Sequence, residues 1–104
     1  MARTNNAAHI YGAVDALADL RRINQEVRGE MDAATSRDQL RELKKRSDYF
    51  RTQAEAPSWQ EKFGRRIHRV QQVAQEEDAK TAQHANAVAK QHGWETAYHP
   101  WGGR

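Results

Sequence analysis

The series Ile10, Ala13, Leu17, Leu20, Asn24, Val27 and Met31 advances by three and four residues in turn. That spacing places the whole series on one stripe of an α-helix, whereas a strand would scatter it over both faces. A second stripe, Leu40, Leu43, Ser47, Phe50 and Ala54, keeps the same spacing, and a third opens at Phe63, Ile67 and Val70. With helical periodicity in all three stripes and many good helix formers, the stripes are expected to bury one another, so the expected fold class is all-α.

Local signals set the boundaries. "SRDQ" at Ser36 to Gln39 has the form of a capping box, in which the serine accepts from an amide three residues on and the glutamine reaches back. "EAP" ends the second helix near Ala56, because Pro57 lacks an amide donor and restricts the residue before it. "SWQE" at Ser58 to Glu61 repeats the box, and Gly93, preceded by His92, provides a left-handed stop. The helices expected are about 7–32, 37–56 and 59–92, forming an antiparallel three-helix bundle or an extended helical hairpin with an aromatic C-terminal tail. Residues 1–93 make one helical domain and 94–104 the tail. At about 1.5 Å per residue the third helix would span about 50 Å, against about 40 Å and under 30 Å for the others. It must project, bend or find another partner, and a break near "QEEDAKT" is the main alternative.

The core is expected to be thin. Leu, Ile, Val and Phe supply 14 of 104 residues, and the mean hydropathy is −1.08. A net charge of only +3, two prolines and strong periodicity argue against disorder. Self-association or a partner would then supply missing burial. The alanines at 79, 82, 85, 87 and 89 are read either as a docking surface on the third helix or as exposed helix built from strong formers. Asn24, the one strongly polar member of the first stripe, is expected at its wet edge; buried, it would fix register. Gly64 inside the third helix implies a close neighbour or a tolerated defect.

Charge is unevenly placed. Residues 37–69 hold ten cations against five acids, while each flank has a net charge of −1. Lys62, Arg65, Arg66 and Arg69 follow i, i+3, i+4, i+7 beside the third apolar stripe, and Lys44, Lys45 and Arg51 add to the second helix. These seven are the candidate residues for binding an acidic protein surface or nucleic acid, although such cations also simply solvate helix shoulders. The flanks of the two helices do not merge in a simple antiparallel pair, and no reading helix follows a glycine-containing turn, so base-specific recognition is not expected.

No catalytic residues, cofactor or small-molecule substrate are expected: there is no nucleophile signature, phosphate loop or carboxylate pair, and "EED" at 76–78 reads as solvated helix. The five histidines include no i, i+4 pair, so no metal site is expected. The chain has no cysteine, no leader-like start and no apolar run near the roughly 18 residues of a membrane span, which together set a cytoplasmic expectation. Trp94, Tyr98 and Trp101 in the tail either fold back onto the bundle or form an exposed anchor for a partner. The reading is a non-enzymatic helical interaction protein of adaptor or inhibitor type that self-associates or joins a hetero-complex. The alternative is a nonspecific nucleic-acid-binding accessory protein.

Overall fold

The computed structural model describes residues 11–94 and 98. Three long helices, α1 (Ala13–Asp32), α2 (Arg37–Glu55) and α4 (Ile67–His92), pack in an up-down-up bundle in which each touches the other two. A short helix α3 (Pro57–Phe63) and a 3-10 turn (Gly64–Arg66) connect α2 to α4.

The first helix starts later than its periodicity suggests. Gly12 is extended (φ −111°, ψ −179°), and the Asp15 carboxylate accepts from the Gly12 amide at 2.8 Å, which closes the first turn from Ala13. Residues 7–10 of the expected helix lie outside the described residues. The start of α2 is as expected: Ser36 Oγ accepts from the Gln39 amide at 3.1 Å. Gln39 Oε1, however, takes the Thr35 amide at 2.7 Å, one residue further back than a regular capping box. The second box is not used. Ala56 is the N-cap of α3 and Pro57 its first residue, where a missing donor costs nothing and the fixed φ suits a helix.

The expected third helix, 59–92, is divided at Gly64. This residue has φ +57° and ψ −128°, outside the right-handed helical region, so α3 ends and α4 sets off anew. A Cβ added to Gly64 would meet nothing within 4 Å, so the backbone requires glycine here and no close neighbour does. No break occurs near "QEEDAKT", which lies inside α4. The division reduces the length mismatch: with 20, 19 and 26 residues, the long helices measure about 30, 29 and 39 Å. Gly64→Ala is expected to cost about 1–3 kcal/mol through backbone strain alone. Urea unfolding measures it, and an unchanged midpoint would mean that α3 and α4 can run straight through.

The α3 element folds over the start of α1 through aromatic rings. Trp59 and Phe63 pack edge to face at 5.4 Å between centroids, and both meet Tyr11, at 6.1 and 6.3 Å. The Tyr11 hydroxyl donates to Asp19 Oδ2 at 2.8 Å. Burial and that carboxylate hold the phenol well above its usual pKa, so Tyr11 stays neutral.

Two apolar clusters fill the bundle. One, centred on Leu20, Phe63, Ile67 and Val70, lies towards α3; the other, centred on Val27, Met31, Leu40 and Val88, lies towards the α1–α2 turn. Eight of the seventeen buried hydrophobics among the described residues are alanines. A thin core is thus closed by bringing the helix backbones near one another. Ala82, Ala85 and Ala89 are at most 1% exposed inside the bundle, Ala79 is half-buried and Ala87 is exposed. Ala82, Ala85 and Ala89 of the alanine-rich half are therefore internal packing surface. Among the described residues no helix is long and apolar enough to cross a membrane.

A polar layer separates the clusters. Asn24 of α1, 1% exposed, sits at its centre and not at a wet edge. Its Oδ1 accepts from Ser47 Oγ of α2 and Thr81 Oγ1 of α4, both at 2.7 Å, while its Nδ2 donates to the Leu20 carbonyl. One residue from each long helix thus converges on a single oxygen. That geometry fixes the axial register of all three helices, since a shift of one turn would leave buried polar atoms unpaired.

Candidate partner-binding surface

The polar layer also decides which cations remain available to a partner. Lys44, on the candidate binding list, is 4% exposed and points inward, its ammonium donating to Asp78 Oδ1 at 2.8 Å and to Asp48. Arg51 follows two helical turns on, with Asp48, Glu55 and Asp78 at 3.8–4.0 Å. The acids of "EED" are partly internal as well: Glu77 and Asp78 are 6% and 1% exposed, and Arg28 reaches Glu77 Oε1 at 3.2 Å and Thr81 Oγ1 at 3.1 Å. The reading of this segment as solvated helix holds only for Glu76. Two of the three α2 candidates therefore work inside the fold. The third, Lys45, is exposed and pairs with Glu42 at 3.1 Å, as Arg41 pairs with Asp38 and Arg46 with Glu30.

The other four candidates behave differently. Arg65, Arg66 and Arg69 are exposed, and among the described residues none has a carboxylate within ion-pair distance; Arg69 donates only to Gln72 Oε1 at 3.0 Å. Lys62 is exposed and its ammonium lies 5.2 Å from the Tyr11 ring centroid. The spacing i, i+3, i+4, i+7 does not survive as one straight helical flank, because the Gly64 break and the 3-10 turn fall inside it. The four instead make a basic corner where α3, the turn and α4 wrap the first turns of α1.

Here sequence periodicity missed a partner for the cations. Val14 lies off the apolar stripe and is 75% exposed. With Ala13 and the half-buried Leu17 it forms one wall of a shallow groove of about 330 Å³, whose other wall is Arg66 and Arg69. A valine flanked by Ala13 and Asp15 looks unremarkable in sequence, and only the return of the chain through α3 brings the arginines beside it.

Of the tail, Trp94 and Tyr98 are described, and they lie at the opposite end. Gly93 (φ +72°) stops α4, and the Trp94 amide reaches back to the Ala89 carbonyl at 2.9 Å in a Schellman arrangement. His92 stacks on Trp94 at 4.3 Å, and Asn86 exchanges two hydrogen bonds with the Tyr98 backbone, at 2.7 and 2.8 Å. Trp94 and Tyr98 pack against the cluster of Val27, Met31 and Leu40, which gives them an internal role in place of an exposed anchor. Trp101 lies outside the described residues. Of the remaining histidines, His84 pairs with Asp32 at 2.7 Å and His68 is exposed; His9 and His99 are outside the described residues. Among the described residues no three His or acidic side chains are grouped as they would be to hold a metal ion.

Compared with protein-family models, with curated proteins and with solved structures, the chain matches none.

Proposed function

We propose that this chain is a non-enzymatic binding protein that engages an acidic partner protein through the basic corner formed by Lys62, Arg65, Arg66 and Arg69. One observation carries the reading. The cations of α1 and α2 are largely matched by neighbouring acids, whereas Arg65, Arg66 and Arg69 stand together without one among the described residues. Clustered like charge at a single corner raises the local potential and steers an oppositely charged partner.

The neighbouring Val14 and Leu17 favour a protein over nucleic acid, because an apolar wall contributes nothing to phosphate contact. Nonspecific nucleic-acid binding stays as the second reading on the same four cations. With at most about four phosphate contacts, its log–log salt slope could not exceed about 3.6 in magnitude.

Triple reversal, Arg65→Glu, Arg66→Glu and Arg69→Glu, is expected to abolish capture of the partner in pull-downs from the native source. Reversal of Arg41 and Lys45, both exposed and paired on α2, is expected to leave capture within a factor of about two. Equal loss from both variants would contradict the assignment to the corner. A gel shift that disappears steeply with salt would transfer it to nucleic acid.

A further inference from the structure

We infer that the groove between the start of α1 and the 3-10 turn receives an acidic amphipathic helix of the partner, with an apolar side chain against Val14 and Leu17 and carboxylates on Arg66 and Arg69. The inference rests on the proposed function and specifies its ligand.

The two walls differ in chemistry. Ala13, Val14 and Leu17 present methyl groups, and Arg66 and Arg69 present guanidinium groups without a carboxylate partner among the described residues. The basic wall extends past the groove, since Lys62 lies over Tyr11 immediately before α1. Asp15, next to Val14 in the chain, accepts from the Gly12 amide as the cap of α1.

A ligand matching both walls must carry an apolar row and an acidic row side by side at a spacing of one helical turn. An amphipathic helix with Leu at i, i+3 and i+7 and Glu beside them does this. A polynucleotide supplies the charge but no apolar row. A small dicarboxylate would satisfy Arg66 and Arg69 and leave Val14 exposed.

The test uses the full-length ¹⁵N-labelled chain and two synthetic peptides of about five helical turns, or about 18 residues. One has a leucine stripe flanked by glutamates; the other has the same residues scrambled so that no stripe forms. Single-stranded DNA of equal charge is the third probe. The striped peptide is expected to shift the amides of residues 13–17 and 65–69 and to bind about tenfold more tightly than the scrambled one. Val14→Ser is expected to remove most of that preference while leaving the fold intact, because Val14 is already exposed. Arg66→Glu with Arg69→Glu should abolish binding of both peptides.

If both peptides bind the corner equally, or DNA binds it better, the groove proposal fails while a charge-driven corner stands. If no probe shifts these amides, both fail. If the same amides shift with protein concentration alone, the groove belongs to a second copy of the chain and the proposal is overturned.

Discussion

Asp78→Ala is expected to destabilise the bundle by about 3–5 kcal/mol, the cost of removing one member of a buried ion pair. Asp78 is 1% exposed and Lys44 4% exposed, with Arg51 close by. Without the carboxylate the Lys44 ammonium loses its most buried partner, and Ser47 Oγ, which donates to Asn24, loses its second contact to Asp78 at 3.3 Å. Among the described residues Asp48, nearer the surface, is the carboxylate that still faces it. Because domains of this size are stable by about 5–15 kcal/mol, the loss is a large part of the total. Each kcal/mol lost should lower Tm by roughly 4–8 °C. Lys44→Met in the same background removes the ammonium and is expected to return more than half of the loss, whereas Lys44→Met alone leaves Asp78 with Arg51 at 3.8 Å and Ser47 Oγ at 3.3 Å and is expected to cost less than Asp78→Ala. A double-mutant cycle by urea unfolding measures the coupling. A cost below about 1 kcal/mol for Asp78→Ala would mean that water reaches the layer and that it does not fix the register of the helices.

Phe63→Ala is the second large effect, about 3–5 kcal/mol, from lost burial and from the cavity left behind. Phe63 is 8% exposed and, with Trp59 of the same helix, holds α3 against Tyr11. Its consequence reaches the corner, because α3 and the turn that follows place Lys62, Arg65 and Arg66. Denaturation gives the energetic loss. Trp59 fluorescence should shift to the red in the native baseline before global unfolding, since the indole loses a ring neighbour. A partner-binding defect should accompany it even where the bundle is still folded. Normal binding in a variant with a detached α3 would separate the corner from the function.

The sequence made the helices legible wherever a local signal sufficed. Ser36 caps α2, Pro57 separates α2 from α3 and Gly93 ends α4, each by chemistry contained within a few residues. The seam of α2 was harder. Leu40, Ser47 and Ala54 belong to two possible stripes, one passing through Leu43 and Phe50 and the other through Lys44 and Arg51. Apolar residues favour the first, yet Lys44 is buried and Leu43 and Phe50 only half so. A lysine is acceptable there because Asp78, 34 residues away, faces it. No local pattern carries that information. The same holds for Asn24, whose burial depends on hydroxyls from two other helices.

At the candidate site the four cations were visible from spacing, but their availability was not. Lys44, Lys45 and Arg51 looked equivalent to Arg65, Arg66 and Arg69 until the acids of α2 and α4 were placed around them. Gly64 was visible as an oddity. Its positive φ, which turns the chain so that the arginines meet Val14, is a property of the folded backbone.

Among the described residues Arg65, Arg66 and Arg69 form a cluster of exposed cations with no carboxylate in ion-pair distance, and on the proposed function this cluster serves an acidic partner. Titration of the ¹⁵N-labelled chain with poly-L-glutamate at low salt tests it most directly. Amide shifts confined to residues 62–69 and the first turns of α1, lost on triple reversal of Arg65, Arg66 and Arg69, are the predicted result. Shifts of equal size around Arg41 and Lys45 on α2, or none at the corner, would contradict it.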